Sequence, residues 1–134
     1  MNEILENAKF SEIMCENIKN CINFLLDENQ GFKILARFKF IEFDPPLPKE
    51  FTENFENFIL FELANYTFET AQIVGDNLTF DAAFGEENFE SEVKIPLFSV
   101  VQILVDEDVI LINPAKTKRL NNKQVMEMFK KSLT

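Results

Sequence analysis

The hydrophobic period of the chain changes at Gly31, and this change limits the fold more than any other feature of the sequence. Before Gly31, apolar residues recur with the 3.6-residue spacing of an amphipathic helix. After Gly31, apolar residues alternate with charged ones over residues 32–40, which is the period of a strand with one buried face. We expect Ser11 to cap the start of the helix and Gly31 to take the left-handed position after its end.

Further strands are predicted at residues 58–63, 78–84, 89–95, 99–105 and 109–112, separated by turns rich in glycine, asparagine and acidic residues. Three prolines within residues 45–48 predict a connection outside any sheet, because proline lacks the donor that a strand ladder needs. Residues 66–73 fit neither period. One helix followed by short antiparallel strands predicts the α+β class, with a sheet that curls into a small barrel.

The length and the charge distribution predict one folded domain and a tail. A chain of 134 residues fits one domain, which we place at residues 1–114. Residues 115–134 contain six basic residues and one acidic residue, a net charge of +5. Because the whole chain has a net charge of −10, residues 1–114 have a net charge of −15. We expect the acidic domain to repel nucleic acid and anionic membranes. The basic tail contains a short amphipathic segment at residues 125–129.

Two cysteines and the chain start indicate the compartment. Cys15 and Cys21 lie six residues apart in one predicted helix, on different faces and too far apart for a disulfide. We therefore expect free thiols in a reducing cytosol. The first residues lack the basic start and apolar run of a signal peptide, and no apolar stretch approaches ~20 residues. These features predict a cytoplasmic protein without a membrane segment.

The composition disfavours an enzyme. The chain has no histidine, which is the commonest general base near neutral pH and the commonest metal ligand. Its acidic residues fall in predicted turns or alternate with apolar residues, which is typical of a solvated face. Three glycines form no phosphate-binding loop, and residues 106–108 lack the spacing of a calcium loop. We predict no catalytic residue, no metal site and no cofactor, and a function in binding extended peptides at strand edges.

Three segments of the sequence resemble one family in the same order. The first segment, residues 24–27, reads Phe-Leu-Leu-Asp and is followed by Asn29 and Gln30. The second joins Leu-Pro-Lys-Glu-Phe at residues 47–51 with Ile-Leu-Phe-Glu-Leu-Ala at residues 59–64. The third joins Phe-Asp-Ala-Ala-Phe-Gly at residues 80–85 with Val-Lys-Ile-Pro-Leu at residues 93–97. Together they resemble the stringent starvation protein B (SspB) family, bacterial adaptors that bring tagged polypeptides to the ClpXP protease. The resemblance covers about residues 20–105.

This resemblance implies an Sm-like barrel that forms a homodimer through its N-terminal helix and binds an ssrA-type tag in a hydrophobic groove. Carried over by position, the groove residues are Leu63, Ala64, Phe80, Ala82, Phe84 and Gly85. Without the resemblance, Phe80, Ala82 and Phe84 would be expected to point into the core, as alternating apolar residues of a strand usually do. The dimer contact would be formed by Ile18, Ile22 and Leu25, although this stripe would equally serve to cover the barrel.

Two departures from the family pattern alter what is expected of the binding sites. Asp81 and Ala83 stand where the family commonly has asparagine and arginine, so a more acidic groove with a different tag preference is predicted. The short tail would dock on the ClpX unfoldase through Met128, Phe129, Lys130, Lys131 and Leu133. The alternative for the tail is an ordinary C-terminal helix packed on the domain. Alternative functions are an Sm-like RNA-binding module, or a diverged barrel that binds another protein partner.

Overall fold

The computed structural model describes residues 3–53 and 55–116, which form an α+β fold with one long helix and two sheets. The helices are α1 (Ala8–Asp27), α2 (Lys49–Thr52) and α3 (Tyr66–Glu69). The strands are β1 (Phe32–Arg37), β2 (Glu42–Asp44), β3 (Phe58–Leu63), β4 (Gln72–Val74), β5 (Asn77–Phe84), β6 (Phe89–Pro96), β7 (Val100–Val105) and β8 (Asp108–Ile112).

All strand pairs of the two sheets are antiparallel. The first sheet has the order β3-β1-β7-β8 and the second the order β2-β6-β5-β4. The chain passes between the sheets through two tight 3-10 turns, Phe38–Phe40 after β1 and Leu97–Ser99 after β6. The predicted α+β class is therefore confirmed, whereas the strands of the described residues remain two sheets and form no closed barrel.

The start of α1 corrects the expectation for Ser11. Asn7 is the capping residue, since its side-chain oxygen accepts hydrogen bonds from the backbone N–H groups of Lys9 (2.9 Å) and Phe10 (3.1 Å). Asparagine at this position satisfies two donors that a helix start leaves without intrahelical partners. Helix α1 therefore begins at Ala8, three residues before Ser11.

The end of α1 corrects the expectation for Gly31. Asn29 has the left-handed conformation, with φ of 56°. Its N–H donates to the Leu26 carbonyl (3.1 Å), and the N–H of Gln30 donates to the Leu25 carbonyl (2.9 Å), which is the pattern of a Schellman motif. Gly31 has a different role, because a Cβ atom there would lie 3.1 Å from the Leu63 carbonyl oxygen. Glycine thus permits the close approach of the chain to the end of β3.

The hydrophobic core lies between the two sheets and α1. Alternate residues of the strands supply most of it, as the period of two predicted: Phe32, Ile34, Ala36, Phe61, Leu63, Leu78, Phe80, Ala82, Val93, Ile95, Val100 and Ile103 are all buried. Phe61 of the first sheet and Phe80 of the second meet edge to face, with ring centroids 5.4 Å apart. This contact ties the two sheets together at the centre of the domain.

The apolar stripe of α1 faces this core. Ile18, Ile22 and Leu25 are buried among side chains of their own chain. In the single chain this stripe therefore covers the sheets, as the alternative predicted, and the dimer contact through Ile18, Ile22 and Leu25 stays a prediction. On the same helix, Ile13 and Phe24 are exposed. These two exposed apolar residues lie eleven positions apart and so share one face of α1, which a dimer contact could also use.

Within the described ranges, none of the helices is long and apolar enough to cross a membrane.

Candidate peptide-binding site

The six groove residues implied by the family resemblance are not brought together on one open surface. Leu63 and Phe80 are fully buried, with 0% and 1% of their surface exposed, and Ala82 is 6% exposed. Ala64 and Phe84 are half-buried, and Gly85 is exposed. Among these positions, the side chains that a ligand reaches without rearrangement are therefore those of Ala64 and Phe84, and the Gly85 backbone is exposed next to Phe84.

The accessible positions belong to two separate places. Ala64 lines a depression of about 270 Å³ at the end of β3, together with the loop that follows α1 and the turn between β7 and β8. Phe84 belongs instead to an aromatic cluster, which we define as Phe38, Phe43, Phe55 and Phe84. Ring centroids are 5.2 Å apart for Phe38 and Phe55, 6.2 Å for Phe38 and Phe43, and 5.8 Å for Phe43 and Phe84.

The aromatic cluster borders an open cleft of about 440 Å³. This cleft, called the Arg37 cleft below, is lined by Arg37, Phe38, Lys39, Phe55, Glu56, Asn57 and Phe58. It lies at the start of β3, whereas the Ala64 depression lies at the end of the same strand. Strand β3 therefore connects the two concave surfaces described for this chain.

Gly85 directly follows Phe84 of the aromatic cluster, in the turn after β5. Its φ of +73° is a left-handed conformation, and a Cβ atom there would lie 2.6 Å from two ring atoms of Phe51. Gly75 also has a positive φ, of +61°, but a Cβ atom there would meet nothing within 4 Å. Both positions favour glycine because the left-handed conformation is unfavourable for other residues. Only at Gly85 would an added Cβ atom also collide with a neighbouring side chain, that of Phe51.

This difference makes a matched pair of substitutions informative. We expect Gly75→Ala to lower the free energy of unfolding by about 1–2 kcal/mol, the cost of a left-handed L-residue. Gly85→Ala is expected to cost more, because the Phe51 ring must also move away. Urea denaturation of both variants measures the difference. Equal losses would show that Phe51 moves aside at no cost, and would contradict the close contact.

The Arg37 cleft contains two cations, Arg37 and Lys39, and one carboxylate, Glu56, and neither cation forms an ion pair with a described carboxylate. The guanidinium carbon of Arg37 lies 5.4 Å from the centroid of the Phe58 ring, and Lys39 Nζ lies 5.0 Å from that of Phe40. Within residues 3–53 and 55–116, the ion pair found is Lys33 with Glu107, at 3.8 Å.

The edge strands of the two sheets differ in how they are protected. β2 carries exposed Glu42 and Asp44 and is followed by Pro45, while β4 has only three residues. Charges, proline and short length are the usual means by which edge strands avoid pairing. β3 and β8 have six and five residues and expose apolar side chains. Those side chains are Phe58 and Leu60 on β3, and Val109, Ile110 and Ile112 on β8.

The main chain of β3 has free hydrogen-bonding groups at its outer edge. The N–H of Phe38 donates to the Asn57 carbonyl, so by the alternation of an antiparallel ladder the groups of Phe58, Leu60 and Glu62 point away from β1. The Glu62 carbonyl accepts a hydrogen bond from Thr67 Oγ1 at 2.9 Å. No described strand pairs with this edge. We call the outer main chain of Phe58 and Leu60, with their side chains, the β3 edge.

The outer face of the second sheet is acidic. Asp81, Glu92 and Asp44 lie directly opposite one another on β5, β6 and β2. Asp81, which was expected to make a groove acidic, stands on this outer face between the inward residues Phe80 and Ala82. Like charges in register repel one another and repel phosphates, so this face is unsuited to a nucleic acid.

Potential metal ligands do not cluster in the described residues. No group of three or more histidine, cysteine or acidic side chains lies close enough to hold a metal ion there. Cys15 and Cys21 are free thiols. Burial raises the pKa of both thiols, and the negative charge of Asp76 raises the pKa of Cys15 further. Both side chains are thus poor nucleophiles at neutral pH, since the thiolate is the reactive form.

Sequence reasoning missed the main components of this site. Arg37 and Lys39 were assigned to the polar side of the first strand, and Phe58 and Leu60 to an ordinary apolar strand. The excess of basic residues on the first strand was the available signal. Met128, Phe129, Lys130, Lys131 and Leu133, the residues expected to dock on ClpX, lie outside the described residues.

No protein-family model matches the sequence, and no curated protein matches it either. The geometry of the first sheet is therefore the main indication of function.

Proposed function

We propose that this protein is a non-enzymatic adaptor that binds an extended polypeptide along the β3 edge. One observation carries the proposal: β3 is a six-residue edge strand without proline, whose outer main-chain groups at Phe58 and Leu60 are unpaired and whose Phe58 and Leu60 side chains are exposed. An extended peptide that adds to such an edge gains main-chain hydrogen bonds, and nearby pockets select its side chains.

The surroundings of the β3 edge supply those pockets. A peptide paired with Phe58 and Leu60 would reach the Arg37 cleft at one end of β3 and the Ala64 depression at the other. Its alternate side chains would contact the exposed apolar surface of the first sheet. We expect modest affinity, because an extended peptide loses conformational freedom when it binds.

The family resemblance supplies the finer part of the proposal. The bound segment would be an ssrA-type degradation tag, and the complex would be delivered to the ClpXP protease. Tethering a substrate beside an unfoldase raises its local concentration to roughly millimolar for a short linker, which requires no catalysis. In this proposal the two bent sheets are a variant of the Sm-like barrel, and a homodimer would form through the exposed residues Ile13 and Phe24 of α1.

Proline substitutions in the two edge strands of the first sheet, β3 and β8, test the proposal. Leu60→Pro removes an N–H that faces outward, so the ladder with β1 is kept while the β3 edge is blocked. We expect this variant to bind a fluorescently labelled ssrA-tag peptide at least about tenfold more weakly, through a lost hydrogen bond and a steric clash. Fluorescence anisotropy measures the affinity.

The matched control is Ile112→Pro on β8. The N–H of Asn113 donates to the Val101 carbonyl, so the neighbouring Ile112 N–H also faces outward. Ile112→Pro should leave peptide affinity unchanged, and thermal unfolding should show that both proline variants fold. Leu60→Ala keeps the N–H and should lose less affinity than Leu60→Pro. Unchanged binding by folded Leu60→Pro would refute capture at the β3 edge.

A further inference from the structure

We propose that the Arg37 cleft selects an acidic side chain of the captured polypeptide, two positions after an apolar side chain that packs on Leu60. This inference rests on the proposed function, because it takes the β3 edge as the place where the polypeptide lies. It adds a preferred sequence pattern to that function: an apolar residue, any residue, then an acidic residue. The pattern concerns side chains within the polypeptide and makes no use of its ends.

Main-chain pairing at the β3 edge determines which polypeptide residues stand opposite Phe58 and Leu60. The outer N–H and carbonyl groups of both residues point away from β1, so each would form a hydrogen-bonded pair with one residue of an added antiparallel strand. Every strand pair in the first sheet is antiparallel, and a polypeptide that continues this pattern runs opposite to β3. The polypeptide residue opposite Phe58 therefore comes two positions after the residue opposite Leu60.

The side chains of these two polypeptide residues would lie on the outer face of the first sheet. Side chains directly opposite each other share one face of a sheet, and those of Phe58 and Leu60 are exposed on the outer face. Leu60 stands opposite Leu35 of β1. An apolar side chain opposite Leu60 would extend this row and bury apolar surface, which is favourable.

The polypeptide residue opposite Phe58 meets a cationic surface instead. Phe58 stands opposite Arg37 of β1, and the guanidinium carbon of Arg37 lies 5.4 Å from the centroid of the Phe58 ring. Two strand spacings, about 10 Å, separate an added strand from β1. Two long side chains that extend toward each other over the Phe58 ring bridge this gap. Guanidinium groups bind carboxylates in a bidentate manner, and such charge-assisted hydrogen bonds are about twice as strong as neutral ones.

The net charges of the two concave surfaces favour an acidic side chain at this end of β3 alone. The Arg37 cleft is lined by two cations and one carboxylate, a net charge of +1. The Ala64 depression at the other end of β3 is lined by one lysine and three carboxylates, a net charge of −2. An acidic side chain is therefore attracted to the first place and repelled from the second, and both effects decrease with salt.

Labelled octapeptides with uncharged ends test the proposal. The host peptide alternates valine and threonine, carries the label at its N-terminus and ends in an amide. One variant has glutamate in place of the last valine, and a second has glutamine there. We expect the wild-type protein to bind the glutamate peptide about tenfold more tightly than the glutamine peptide, as charge-assisted hydrogen bonds would give. Fluorescence anisotropy measures both affinities.

Two further peptides test the position and the order of the pattern. Glutamate in place of the last threonine should give no preference over glutamine there, because presenting it to Arg37 would place threonine instead of valine opposite Leu60. Glutamate in place of the first valine should also give none. In an antiparallel strand, no polypeptide residue would then precede it to pack on Leu60.

Protein variants assign the preference to Arg37. Arg37→Gln should reduce the ratio of the two affinities to about one, whereas Arg37→Lys should keep part of it, since lysine retains the charge without the bidentate geometry. Lys94→Gln is the matched control, because it removes an exposed cation from β6 in the second sheet and should keep the full ratio. Thermal unfolding should show that all three variants fold.

The possible outcomes separate this inference from the proposed function. Equal binding of the glutamate and glutamine peptides, both weakened in Leu60→Pro, would overturn the acidic pattern and leave the proposed function intact. A preference that persists in folded Arg37→Gln would overturn it as well. So would binding of an ssrA-tag peptide without any binding of the glutamate peptide. If none of these peptides bound, the proposed function would fail, and this inference with it.

Discussion

Replacing Phe80 with alanine is expected to lower the free energy of unfolding by about 3–5 kcal/mol, the usual cost of truncating a buried phenylalanine. Phe80 is 1% exposed and meets Phe61 edge to face across the two sheets. The truncation would remove that contact and leave a cavity at the centre of the domain. Urea denaturation followed by far-UV circular dichroism measures the change.

Phe84→Ala is the matched control for Phe80→Ala. Both residues lie on the inward side of β5, but Phe84 is half-buried at the end of the strand, where its ring meets Phe43. Its truncation should therefore cost clearly less stability. A small loss in Phe80→Ala combined with abolished peptide binding would mean that Phe80 lines a groove, as the family resemblance implies, and would contradict its place in the core.

Ile22→Asp is expected to prevent folding. Ile22 is fully buried between α1 and the sheets, and a carboxylate there would have no charged partner nearby. Burying an unpaired charge in the core lowers the free energy of unfolding by several kcal/mol, which is comparable to the whole stability of a small domain. Circular dichroism and thermal unfolding of the purified variant would show the loss of the cooperative transition.

Phe24→Asp, two residues further along the same helix, is the control. Phe24 is 61% exposed, so the substitution should change stability by no more than about 0.5 kcal/mol. Sedimentation analysis of this variant reports on the oligomeric state at the same time. A folded, monomeric Ile22→Asp variant would show that the stripe of Ile18, Ile22 and Leu25 contacts a second copy, against the burial described here.

The sequence predicted most strands well because their signals are local, but the strand predicted over residues 32–40 ends at Arg37, and β2 and β4 were not predicted. The pattern at residues 58–63 corresponds to β3 with the same bounds, and the pattern at residues 78–84 corresponds to β5 within one residue. The two ends of α1 were predicted less accurately. Asn7 and Ser11 are both good capping residues, and Asn29 and Gly31 both tolerate a left-handed conformation, so the hydrogen bonds that choose between them depend on the surrounding chain.

The candidate site was predicted less well because it depends on the order of strands. Alternation identifies the two faces of a strand, but it does not say whether the strand lies at the centre or the edge of a sheet. β3 is an edge because no described strand pairs with the side that faces away from β1. The pairing of β3 with β1 placed Phe58 opposite Arg37, twenty-one positions away in the chain, and so created the cationic cleft.

The sequence by itself determined the succession of one helix and short antiparallel strands, the acidic charge, and the lack of histidine chemistry, because these follow from period and composition. Only the tertiary structure decided that the stripe of α1 and the side chain of Phe80 belong to the core, that the strands form two sheets, and that the β3 edge is open. Periodicity shows that a face is buried, whereas contacts between residues distant in the chain determine what buries it.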